Sequence, residues 1–307
     1  MGHLLAALWH MPGRVAAVAG VTFTQLVRMR LFLVLAVFAI AFLALQFIPY
    51  QERIGVEFRG VQQLQLIKDV AVGCMQLFGL FFCVAATALL IPRDTEDRIL
   101  YTILCKPVPR FDYLLGKVCG VLGLLAVMLL FMDGLLSLLL WVRESSLAAE
   151  LTATLTAQGY TAAEAQPYLD QVHAAGNTWD TQRSMVAMFL GFAVLTSLTM
   201  LFSCFTSGTI VSMIFALGSY FIGMFQGQFF HALSAGSGEP GMSPFMQGAA
   251  RVCSVLLPDF SIFTVADAAT AGVSLSWAIL GSMALSAMAY MLLHLLIATW
   301  IFAHKEF

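Results

Sequence analysis

Apolar residues fall into long blocks along this chain, separated by short charged segments. A bilayer core needs about 20 mainly apolar residues in a helix. Six blocks meet that requirement: Leu31–Pro49, Val70–Ile91, Tyr113–Trp141, Ser184–Phe205, Thr209–Phe230 and Val273–Phe302. The third is long enough to span with tilt. Only Thr206-Ser207-Gly208 separates the fourth from the fifth. The pattern predicts an all-α, polytopic membrane protein, with six transmembrane helices in one domain over residues 1–307.

Two shorter apolar stretches remain. Val15–Leu26 is followed by Arg28 and Arg30. It predicts an N-terminal interfacial helix lying along the membrane surface, its basic residues among the headgroups. Val252–Ala266 is interrupted by Pro258 and Asp259 and is too short to span. It reads as a re-entrant or outer-surface segment that turns at Pro258. At the start of the chain, Leu4–Trp9 is too short for a signal peptide, and Pro12, Gly13 and Arg14 break the apolar run beyond it.

One sizeable polar insertion, residues 143–183, reads as a short helical hairpin. Ala148–Gln158 is helix-forming and ends at Gly159, a good helix stop. Thr161-Ala-Ala-Glu164 is a capping-box pattern that restarts a helix, and Gly176 ends it. A small solvated cap and an extracytoplasmic gate or docking element both fit this segment. Gly236–Pro244 reads as a flexible loop.

Lys and Arg set the sidedness. With the N-terminus inside, the inner segments hold Arg14, Arg28, Arg30, Arg93, Arg98, Lys106, Arg110, Lys117 and Lys305. The outer ones hold Arg53, Arg59, Lys68, Arg143, Arg183 and Arg251. This bias places both termini in the cytoplasm.

Composition supports the membrane assignment. The chain is 60% hydrophobic and 10% charged, against roughly 25% charged in a soluble domain. Its mean hydropathy is +0.89. No soluble core absorbs that excess, so lipid must cover part of the surface. The net charge of −2 gives no footprint for nucleic acid. The six cysteines show no CxxC pair and no metal-ligand spacing, and most behave as small hydrophobes in apolar runs. The methionines are scattered, as fillers of irregular packing are.

Catalytic signals are lacking. The six histidines are dispersed, with no HExxH, and there is no GxSxG. Gly116-Lys117 is the nearest approach to a P-loop. Phe111 stands where the first Gly is required and Val118 where Ser or Thr is required. The chain is therefore read as no enzyme, with no cofactor of its own.

Asp133 is the carboxylate that lies well inside a predicted span. A charge at that depth costs roughly 2.5–3.5 kcal/mol on insertion scales, so it should face protein or water. It is either a hydrogen-bonded packing residue or a residue lining a translocation path. Gly116/Gly120 and Gly223/Gly227 have GxxxG spacing, read first as intramolecular helix packing and second as dimer contacts.

Residues 92–112, between the second and third blocks, carry most of the functional information. Asp94 or Thr95 can cap a helix start, and Asp94, Glu96 and Asp97 suit the positive end of its dipole. Ile99, Leu100, Ile103 and Leu104 form one apolar stripe. Lys106 suits the negative end, and Pro107 stops the helix. The result is a short amphipathic cytoplasmic helix, of a kind that serves either membrane surfaces or protein docking.

This stretch resembles the type-2 permease superfamily of ATP-binding cassette (ABC) transporters. The resemblance rests on Glu96-Asp97, on Leu100–Leu104, on Pro107-Val-Pro-Arg110 and on Leu114-Leu115-Gly116-Lys117. Leu257-Pro258-Asp259-Phe260 and the tail His304-Lys305-Glu306 are similar to the family too, while Arg98-Ile99 stands where it often has Gly-Thr.

The resemblance implies that the helix docks on a separate soluble ABC ATPase, which binds the ATP. Thr95, Glu96, Asp97 and Arg98 would make the ATPase-coupling contact, with Ile99, Leu100 and Ile103 as apolar anchors. Pro107, Arg110 and Lys117 would form the entry to the third span. A second permease copy, or a homologous permease, would complete an exporter in a bacterial cytoplasmic (inner) membrane. Two other readings stand beside this one. A secondary transporter or channel would carry internal repeats and several intramembrane polar residues. A non-transport scaffold would use residues 143–183 to hold an extracytoplasmic partner.

Overall fold

The computed structural model describes residues 11–29, 37, 40, 41, 61–96, 109–206, 208–234 (side chains through 226), 257–264 and 276–304. Seven α-helices lie among them: α1 (Met11–Val27), α2 (Val61–Glu96), α3 (Arg110–Ala157), α4 (Ala162–Ala175), α5 (Trp179–Phe205), α6 (Thr209–Ser234) and α7 (Trp277–His304). A single 3-10 turn, Phe260–Phe263, precedes α7. Five helical stretches are long and apolar enough to cross a bilayer: Val61–Glu96, Arg110–Ala157, Ala162–Phe205, Thr209–Gln226 and Trp277–His304. The sequence-predicted first span, 31–49, and the loop Gly236–Pro244 lie outside the described residues, apart from 37, 40 and 41, which are helical.

The helices extend well beyond the apolar blocks. α3 has 48 residues, about 72 Å at 1.5 Å per residue, against a hydrocarbon core of about 30 Å. Its far end is the expected Ala148–Gln158 helix, which is thus an extension of the third block rather than a separate element. Gly159 then turns the chain with φ +83°, a left-handed conformation that glycine adopts without penalty. At the start of α4 the Glu164 carboxylate accepts from the Thr161 backbone N–H at 2.9 Å and from its hydroxyl at 2.7 Å. α4 folds back on α3, where His173 Nδ1 lies 2.6 Å from Glu144 Oε1. Gly176 packs directly on that glutamate, leaving no room for a Cβ.

α2 also overruns its block. It continues through Pro92 to Glu96. Pro92 has no N–H to give the Ala88 carbonyl. The Ser203 hydroxyl of α5 supplies that carbonyl with a donor at 3.4 Å, the kind of side-chain rescue that lets proline sit in a membrane helix. Asp94 and Thr95 therefore lie inside α2 and do not cap a new helix, which corrects the sequence-based expectation.

α5 is the centre of the bundle, with α2, α3, α6 and α7 packed around it. Its polar residues Thr196, Ser197, Thr199 and Ser203 are buried. Thr196 and Thr199 return their hydroxyls to carbonyls one turn back in their own helix. Ser197 contacts both the Val194 carbonyl and His294 Nδ1 of α7, at 3.0 Å from the ring nitrogen. The outward faces of α3, α6 and α7 expose Leu130, Ile210, Leu285 and Trp300. Apolar outside and hydrogen-bonded inside is the distribution expected where lipid is the solvent.

α1 packs lengthwise on the first turns of α3. A Cβ on Gly116 would lie 2.6 Å from Val18 Cβ, and one on Gly120 would lie 2.6 Å from Thr22 Cβ. The first glycine pair is thus an intramolecular packing seam. Arg14 meets Asp112 at the start of the same seam, so the two helices run in the same direction. One face of α1 is committed to protein rather than to a membrane surface. In the second pair, Gly223 lies against Phe260, whose ring also packs on Tyr220.

Candidate functional site

Four helix ends meet where α2 closes at Glu96 and α3 opens at Arg110. α2 delivers Asp94, α3 delivers Arg110, Asp112, Tyr113 and Lys117, α1 delivers Arg14 and Gln25, and α7 delivers Phe302. The second apolar block ends and the third begins in charges at this level, and the packing of α2 on α3 brings them together.

The Lys117 ammonium lies 2.6 Å from Asp94 Oδ2, and both side chains are almost wholly buried. The Tyr113 hydroxyl donates to the same oxygen in a short hydrogen bond. Lys117 also reaches Gln25 Oε1 at 3.4 Å and lies over the Tyr113 ring, 5.7 Å from its centre. A second pair flanks the first. Arg14 contacts Asp112 Oδ2 through Nη2 at 2.8 Å and through Nε at 2.9 Å. Arg110 donates from Nη1 to the Phe302 carbonyl at 3.1 Å, and the Phe302 ring stacks on Tyr113 with centres 6.0 Å apart.

Of the three cations at the junction, Arg14 and Lys117 each face a carboxylate and Arg110 a carbonyl, and the Tyr113–Phe302 ring pair lies beside the inner ion pair. In such a setting the pair attraction is strong, but desolvation offsets most of it. The arrangement fixes geometry more than it adds stability. Asp94 Oδ1 remains without a hydrogen-bond partner among the described residues.

The sequence-predicted coupling residues divide around this junction. Thr95 lies in the last described turn of α2 and donates to the Ile91 carbonyl at 2.9 Å. Glu96 follows it, exposed. Asp97, Arg98, Ile99, Leu100, Ile103 and Pro107 lie outside the described residues. Arg110 and Lys117 are both in the junction, in the first turns of α3, and Lys117 is buried. Arg14, Asp112 and the true role of Asp94 were not read from the sequence. The signal was available for Asp94, an acid closing one apolar block opposite a lysine opening the next.

Asp133 sits apart from the junction, far along α3. Gln182 of α5 donates from Nε2 to its Oδ1 at 3.3 Å and reaches Ser137 at 3.5 Å. Together these residues polarise one wall of a groove of about 210 Å³, otherwise lined by Ala126, Leu129, Leu130, Met185, Val186 and Phe189. The structure thus gives Asp133 both a hydrogen-bond partner and an opening. Compared with protein-family models and with curated proteins, the chain matches none.

Proposed function

We propose that the chain is the membrane-spanning permease subunit of an ATP-driven exporter of the ABC class, coupled to a separate ATPase through residues 97–108. The observation that carries this reading is the junction. The two flanks of that segment, Glu96 at the end of α2 and Arg110 at the start of α3, lead into helices tied by the buried Asp94–Lys117 pair. Arg14–Asp112 ties α1 to the same body, and Arg110–Phe302 ties α7. A push on the segment reaches four helices at once, which is what an ATP-driven switch between inward- and outward-open states requires. The resemblance of Ile91–Gly120 to the type-2 permeases supplies the identity of the partner.

In this reading the five long apolar stretches are five of six spans, and the first lies at 31–49. Both termini face the cytoplasm of a bacterial inner membrane, and the α3–α4 hairpin projects on the other side. Two permeases and two ATPases form the working unit. The test is affinity purification of the intact chain from its native membrane. A soluble ATPase is expected in stoichiometric amount, lost when Glu96, Asp97 and Arg98 are together replaced by alanine. A chain that purifies alone with and without nucleotide overturns the reading.

A further inference from the structure

We infer that the groove beside Asp133 binds a small lipophilic cation. This deepens the transport reading by naming a substrate class, and rests on it only for the movement of the ligand. The walls contributed by Leu130, Met185, Val186 and Phe189 are apolar, and the polar side chains on the groove are Asp133 and Gln182.

A carboxylate at membrane depth is stable only with a partner. Gln182 gives it one N–H at 3.3 Å, shared with Ser137. Among the described residues no Lys, Arg or His pairs with Asp133. The charge complement of the groove is therefore a single positive group. The apolar walls fit a hydrocarbon body, and the Phe189 ring can add cation–π attraction if the charge sits over its face. A sugar or peptide needs many convergent polar groups, and this groove offers two side chains. An anion would meet the carboxylate head-on. A volume of about 210 Å³ holds a body of single-ring size. Leu130 and Val186 are exposed on the outer surface of the bundle, so such a ligand can arrive from the lipid phase.

Equilibrium dialysis of radiolabelled benzyltrimethylammonium against the full chain in nanodiscs, with empty nanodiscs subtracted, tests this without any ATPase. Saturable binding is expected near one per chain, at least tenfold weaker in Asp133→Asn. Excess neopentylbenzene, the neutral isostere, should not displace the cation. Absence of saturable binding, equal binding by Asp133→Asn, or displacement by the neutral compound overturns the inference. An unfolded variant is recognised by gel filtration, and the competition on the wild-type chain then decides: displacement of the cation by neopentylbenzene overturns the inference, and its absence alongside saturable binding supports it. Any of these results leaves the ATPase co-purification test unaffected.

Discussion

Lys117 and Asp94 are the residues whose replacement should be felt most strongly, because each is buried and each is the other's charge partner. Removing one leaves an uncompensated buried charge, at a cost of about 3–5 kcal/mol. Lys117→Met is therefore expected to lower the thermal midpoint sharply, as read by fluorescence-detected gel filtration in detergent. Adding Asp94→Asn should restore much of the loss, since replacing both members of a buried pair is often near neutral. A double variant no better than the single one would show that the pair is not the source. The Glu144–His173 contact is a contrast. His173 is 60% exposed, and an exposed pair contributes about 0–1 kcal/mol. His173→Ala should shift the same midpoint little. The charges at the block ends were legible in the sequence as charges, but their pairing was not. Pairing depends on how far α2 and α3 continue past their apolar blocks, and hydropathy does not record that.

At the scale of elements, Gly116 and Gly120 decide how closely α1 approaches α3. A side chain at Gly120 would strike Thr22 and the Ala19 carbonyl, at 2.6 and 2.9 Å from its Cβ. Gly120→Leu should force the helices apart, at roughly 1–3 kcal/mol for overpacking. The effect should be visible as faster proteolysis of the N-terminal helix while the spans stay intact. Gly123→Ala is the internal control, since its Cβ would meet only Phe23 at 3.8 Å. The glycine spacing was readable beforehand, and so were the stop at Gly159 and the restart at Thr161, because turns and caps are local chemistry. Two features were not. The second apolar block ends at Ile91, whereas α2 runs on through Pro92, with the Ser203 hydroxyl of a distant helix donating to the Ala88 carbonyl. α1 looked like a lone surface helix, because its partner face lies a hundred residues away.

For the whole molecule, the contacts fix which helix ends share a side. Arg110 bonds to the Phe302 carbonyl and Asp94 pairs with Lys117, so Glu96, Arg110 and His304 lie at one end of the bundle. At the other end, Arg183 sits over the Trp277 ring, 4.9 Å from its centre, and Glu144 meets His173. Five apolar helical stretches between these ends give the bundle two faces, and in the proposed reading the Lys/Arg bias places the first in the cytoplasm. Single cysteines at Glu96 and His304, and at Thr154 and Trp277, make this measurable in a background where the native cysteines are replaced by serine or alanine. A membrane-impermeant maleimide added to sealed right-side-out vesicles should label Thr154→Cys and Trp277→Cys. It should reach Glu96→Cys and His304→Cys only in inverted vesicles. Labelling of all four positions in one orientation would contradict the bundle itself. A clean exchange of the two pairs would keep the bundle and reverse its insertion, placing Asp94–Lys117 and the neighbouring coupling segment on the side where no ATP is found. That second result would retain the architecture and remove the ATPase reading.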